Sequence, residues 1–242
     1  MYRELRPPPW LAHVACAWVS DGSGARVLPD GCVDVVLSGG RVVVAGPATG
    51  VVVVAPTPGQ HGCGVRFRVG AAEVGLGIPA DQLRDQTVPI EDVIGARPAR
   101  RLTAAVLGAG PERAVSVLTR SFAEPVRTPD VLARRAALLS VEQPLAGVGR
   151  QLGLGERQLR RRIERAVGYG PRTQQRILRL QRFLRLIEGE PAARTLAQLA
   201  AAAGYADQPH LGRECRSLTG RTPAQLRDEG ATPAGESMSG TF

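Results

Sequence analysis

Hydrophobic and polar positions along this 242-residue chain change their period once, near Gly70. Before it the repeat is two. Residues 25–28 lead into Pro29-Asp30-Gly31, a turn in which proline presets φ and glycine accepts a positive one. Residues 32–37, 41–45 and 51–55 follow as strands, separated by Ser38-Gly39-Gly40 and by the loop 46–50. Over 62–69, Val65 and Phe67 alternate with Arg66 and Arg68, which predicts a half-buried strand. Five short strands at this spacing point to a small antiparallel sheet or barrel-like β domain. The first 20 residues fit either a strand or a short helix around 13–19, with Trp10 and Trp18 as core candidates.

Beyond Gly70 the repeat is helical. Short helices are expected at 71–76, from Pro79 onward and at 91–94, and longer ones at 99–107 and 111–122. The last carries a broad apolar face of Ala114, Val115, Val117, Leu118 and Phe122, fit to pack on the β domain or on a second copy of the chain. Two prolines and charge in 124–129 mark a boundary. A helix then runs to about Ser140 with Val131, Leu132, Ala136 and Leu139 inward. Helical runs at 145–152 and 156–167 flank Gly153-Leu154-Gly155, and Val148, Leu152, Leu159 and Ile163 form their shared inner face. A single amphipathic helix of about 22 Å covers 173–188. The pattern of two helices around a glycine turn then returns: Leu199 and Ala200 before Gly204, and Leu211, Cys215 and Leu218 after it. Such a pair is how a helix-turn-helix reads in sequence, here twice, over about 145–167 and 196–218. The expected fold class is α+β in two domains. Residues 1–125 form a small antiparallel β domain with trailing helices, for sensing or dimerisation. Residues 129–229 form an all-α domain of about seven helices, and 230–242 a flexible tail.

Charge sharpens this division. The formal net charge is +9, and no lysine contributes to it. Residues 1–128 hold 13 Arg against 11 acidic residues, whereas 129–230 hold 18 against 10. The basic excess lies in the helical part, as expected for a partner bearing phosphates. Within 156–167 the outer side carries Arg157, Arg160, Arg161, Arg162 and Arg165, relieved only by Glu156 and Glu164. Arginine suits such a helix because its planar fork engages guanine O6 and N7 together, or a phosphate.

Catalytic and metal chemistry find little support. Cys16, Cys32, Cys63 and Cys215 form no CxxC pair and no metal-ligand spacing with the three histidines. No nucleophile–base–orienter set exists, so neither a catalytic residue nor a cofactor is assigned. Asp34 and His61 are the candidates for a small-molecule site in the β domain; Asp34 inside an apolar strand can line a pocket, face solvent or cap a turn. No apolar run is long enough to span a bilayer, and a cytoplasmic location is expected.

Gly204-Tyr205-Ala206-Asp207-Gln208, His210-Leu211-Gly212-Arg213-Glu214, Leu218-Thr219-Gly220-Arg221-Thr222-Pro223 and Arg227 form one set of motif residues. Leu152-Gly153-Leu154, Leu159, Arg161, Val167-Gly168, Pro171 and Arg176 form a second. Through them the C-terminal hundred residues resemble the DNA-binding domain of the AraC/XylS family of bacterial transcription regulators. The resemblance implies two recognition helices in successive major grooves, about 34 Å apart. By position, Arg157, Arg160 and Arg161 would face the groove in the first unit and Gln208, His210 and Arg213 in the second. Arg165 and Arg216 complete the DNA-binding set, Arg216 as a phosphate contact. Double-stranded DNA is the implied partner, with RNA polymerase, a small-molecule effector and a homodimer as further possibilities. Two departures stand out: Gly155 replaces the usual serine N-cap, and Pro209 and Gly212 sit in the second recognition helix, where proline fits only the first turn. Residues 28–34 and 64–68 resemble domains that precede such units in actinobacterial regulators, without implying a ligand. Two other readings stay open. One is an alkyl-transfer repair enzyme fused to the same module, which requires a reactive or metal-bound cysteine. The other is a regulator whose basic face meets an acidic protein.

Overall fold

The computed structural model describes residues 2–57, 59–140, 143–189 and 194–230; the expected tail from 231 onward lies outside the described residues. The strands are β1 (Tyr2–Leu5), β2 (Val14–Ser20), β3 (Ala25–Val27), β4 (Val33–Ser38), β5 (Arg41–Ala45), β6 (Val52–Val54), β7 (Gly62–Phe67) and β8 (Thr87–Pro89), with valine runs prominent in β4, β5 and β6. Six of them form an antiparallel sheet in the order β1-β2-β7-β4-β5-β8, and β3 pairs separately with β6. The run 13–19, open between strand and helix, is therefore strand. β1 and β8 add to the five strands expected; they are short edge strands with little alternation to announce them.

One face of the large sheet packs under helices. α1 (Ala72–Leu76), a 3-10 turn (Ala80–Gln82), α2 (Ile90–Ile94), α3 (Ala96–Gly108) and α4 (Pro111–Ser121) follow the strands. Val35, Val44, Val65 and Phe67 meet Leu102, Val106, Val115 and Leu118 in one buried cluster. The apolar face of 111–122 thus covers the sheet. Phe122 stands edge-on to Phe67 at 5.6 Å, and the His13 ring Nε2 lies 2.7 Å from the Phe122 carbonyl.

The other face contradicts the simple alternation. Cross-strand register places Cys16, Arg66, Asp34 and Ala45 in one row. Arg66 does not face solvent: it is 1% exposed, and its Nε and Nη2 donate to Asp34 at 3.1 and 2.9 Å. Asp30 and Glu4 stand 3.5 and 3.7 Å from Nη1. An ion-paired arginine occupies a site the period of two reserves for water. Trp10 also differs from expectation, being 62% exposed because it sits in the turn before β2.

Seven helices follow among the described residues: α5 (Val131–Leu139), α6 (Leu145–Leu152), α7 (Glu156–Val167), α8 (Pro171–Gly189), α9 (Leu196–Ala203), α10 (Gln208–Thr219) and α11 (Pro223–Gly230). Their core gathers Val148, Leu159, Ile163, Ile177, Leu180, Phe183, Leu199, Leu211 and Leu218 around α8. In α5 the inward residues are Ala133, Ala136 and Ala137, whereas Val131 and Leu132 are 69% and 40% exposed. Asp130 caps that helix through the Ala133 N–H at 2.9 Å, which sets its phase.

The two parts are docked. Leu28 and Val69 reach into the helical core, and the buried Gln181 Nε2 donates to the Pro29 carbonyl at 2.8 Å. Arg26 Nη2 donates to the Thr219 carbonyl at 2.6 Å. Gly168, with φ +91°, ends α7 so close to the N-terminal part that a Cβ there would meet Pro47 at 2.3 Å. Gly168→Ala should therefore cost about 2 kcal/mol or more from overpacking and a left-handed φ, read as a lowered urea midpoint at unchanged slope.

Candidate nucleic-acid interface

Each helix pair is closed by the same backbone device. Gly153 and Gly204 end α6 and α9 in the left-handed region, and the next N–H, of Leu154 or Tyr205, returns to the carbonyl of Gly149 or Ala200 at 2.9 Å in both units. The turns differ by one residue, three against four, so the second helices correspond as Leu159 with Leu211, Ile163 with Cys215 and Gly168 with Gly220. In this alignment Arg161 answers to Arg213, Arg157 to Pro209 and Arg160 to Gly212. The second unit keeps one of the three cations.

On α7, Leu159, Ile163 and Val167 are buried, while Arg157, Arg161 and Arg165 lie one turn apart on the opposite, exposed stripe. Arg157, Arg160 and Arg161 line an open surface depression with Gly155, Gln158 and Glu164. None of the three is ion-paired with another described residue. Arg162 is committed inside the domain, to Asp130 at 2.8 Å. Arg165 is committed outside it: Nη2 and Nε donate to the two carboxylate oxygens of Glu73 at 2.6 and 3.2 Å. These bonds hold the Arg165 guanidinium above its ordinary pKa.

On α10, Asp207 caps the helix through the His210 N–H at 2.6 Å, and Pro209 falls in the first turn, where its missing N–H has no partner to lose. Asp207→Ala should cost about 1 kcal/mol of stability, measurable as a drop in melting temperature. Gln208, Arg213 and Arg216 are exposed. His210 is half-buried and turned back on its own turn, edge-on to Tyr205 at 5.3 Å with Nδ1 3.5 Å from the Ala206 N–H. Arg176 on α8 braces this helix through Glu214 at 2.7 Å and Ser217 at 3.0 Å. Gly155, at the N-cap of α7, offers no side-chain cap.

The two small-molecule candidates are not brought together. Asp34 pairs in register with Arg66, and its carboxylate is taken by that guanidinium. His61 is exposed beside the other end of β7, five residues along, about 16 Å at strand rise. The residues that order the site and escaped the sequence are Glu73, Arg26 and Arg66. Each acts across a long separation, and no local pattern marks it. Burial pushes the Cys16 and Cys215 thiols up to about 12, Cys63 to about 11 and Cys32 well above its ordinary value.

Two helix-turn-helix units sharing one core, with cationic outer stripes, define a DNA-binding domain. The helix-turn-helix domain family matches residues 148–229, and a domain of unknown function (DUF6597) matches residues 3–89. An AraC-type helix-turn-helix domain therefore lies at the C-terminus, over about a third of the chain. No curated protein matches the sequence. Among solved structures, ToxT from Vibrio cholerae O395 is similar at 10% identity and a TM-score of 0.47, covering 96% of this chain and 99% of that one. An apo ToxT variant from Vibrio cholerae strain SCE256 is similar at 11% identity and 0.46, covering 88% and 96%. Among the described residues no helix is long and apolar enough to cross a membrane.

Proposed function

We propose that this regulator reads DNA sequence by placing α7 and α10 in successive major grooves on one face of the duplex. The observation that carries this is the repeated stripe: Arg161 and Arg213 occupy equivalent, exposed positions on two helices fixed to the same core helix α8. Arg157 and Arg160 supply phosphate or guanine contacts in the first unit, Gln208 and Arg216 the counterparts in the second. Backbone contacts set register and a few side chains read bases. Arg213→Ala is expected to cost about 1–3 kcal/mol and to relax preference at one base pair; unchanged affinity and selectivity would show that α10 is misplaced. An acidic protein partner is separated by a gel shift at two salt concentrations, since binding to duplex DNA falls steeply with salt.

The N-terminal domain has a regulatory role in this reading. The turn Pro29-Asp30-Gly31 touches both the Arg66 cluster and, through Gln181, the helix that spaces the two units. A small molecule engaging that domain would act through this turn. A thermal-shift screen of metabolites on the full chain checks the effector, and a screen without any hit argues for regulation through contacts alone.

A further inference from the structure

The 3-10 turn of the N-terminal domain packs on α7, and α1 beside it reaches the outer stripe of that helix through Glu73. α1 is anchored from below: Ala72, Val74, Gly75 and Leu76 are buried, and Gly75 lies so close to the Phe67 ring that a Cβ would meet it at 2.1 Å. Glu73 is left pointing at α7, 31% exposed, and forks Arg165 through both oxygens. Arg165 stands one turn beyond Arg161 on the same exposed stripe, and its side chain is 55% exposed. A second tie fixes the approach, Arg84 Nη1 lying 3.9 Å from Glu164 and 3.4 Å from the Gly168 carbonyl. A carboxylate fork on arginine has the geometry and charge of a phosphate contact.

We propose that Glu73 is an internal stand-in for a DNA phosphate, competing for Arg165 and so setting the affinity of the first recognition helix from the N-terminal domain. The proposal rests on α7 facing DNA, as in the reading above. Glu73 acts by occupying a cation of the binding stripe. A shift of α1 away from α7 frees Arg165, which makes this contact the point where a change in the N-terminal domain reaches DNA.

The test uses the full chain and a 40-base-pair duplex of random sequence, followed by fluorescence anisotropy over a series of salt concentrations. Glu73→Gln keeps the side-chain size and removes the charge. It is expected to bind about threefold more tightly and to steepen the slope of log K against log salt by about 0.9, one more phosphate contact. In an Arg165→Gln background the same substitution should add nothing. Glu73→Ala serves as a second variant and should give the same gain. Wild-type affinity and slope in both Glu73 variants overturn the proposal, as does a gain that persists without Arg165, which would reflect net charge alone. If the wild-type chain and both variants show no salt-dependent binding to the duplex, the DNA reading itself falls, an outcome distinct from loss of the Glu73 effect.

Discussion

Alanine at Arg157, Arg160 and Arg161 together should weaken duplex binding by about a hundredfold or more near physiological salt, and flatten the salt slope by about 2 to 3. These residues are exposed on α7, lack carboxylate partners among the described residues, and supply the densest free positive charge of the two recognition helices. The same change should leave melting temperature unchanged or raise it. Alanine is the best helix former, and neighbouring like charges on one helix face repel. Loss of binding with retained stability separates contact with DNA from damage to the fold. A fall in stability of the same size would place these arginines in packing instead. The second unit should respond less, because Pro209 and Gly212 stand where the first has Arg157 and Arg160.

Arg66→Met carries the largest expected cost in stability, about 3–5 kcal/mol, because it strands buried carboxylates without their cation. Burial works against the charged guanidinium, but Asp34 and then Asp30 outweigh it and hold Arg66 well above its ordinary pKa. Asp30 is pushed the other way. Its own burial, then Asp34, raise its carboxyl against the lowering effects of Arg66 and the Cys32 N–H. A carboxyl raised on folding binds its proton more tightly in the native state. Its contribution is therefore greatest at acid pH and declines as pH rises from the unfolded value through the folded one. The Arg66 variant should show this strongly: part of the lost stability returns at acid pH, where Asp30 is protonated. Denaturant midpoints across pH check the sign, and a loss that deepens on acidification contradicts it. The cluster adjoins the turn that meets Gln181, so the variant should also loosen the docking of α8.

Much of the helical half was legible because its signals are local. Glycine turns and apolar residues three and four apart are all written within a dozen residues of each other, and α6, α7, α9 and α10 fall where they place them. The β half was legible in outline only. Arg66 reads as a solvent-facing residue because alternation reports chemistry and not partners, and its partners Asp34, Asp30 and Glu4 come from three other segments. Val131 and Leu132 were misplaced for a related reason. Alanine packs against α7 in the tight contact between helices, so the larger apolar residues take the outer side of α5. Within the candidate interface, the stripe of α7 was visible in sequence. That Arg165 is already engaged, and that His210 folds back on Tyr205, depend on tertiary contact and on rotamer, which no spacing encodes.

In the proposed arrangement α8 holds two recognition helices for two successive grooves. Selection of bound sequences from a pool of random duplex DNA tests this. Two enriched blocks are expected, their centres about 10 base pairs apart on one face of the helix, with the block read by α10 the one relaxed by Arg213→Ala. A single enriched block, two blocks without fixed spacing, or no enrichment over the input pool would contradict it.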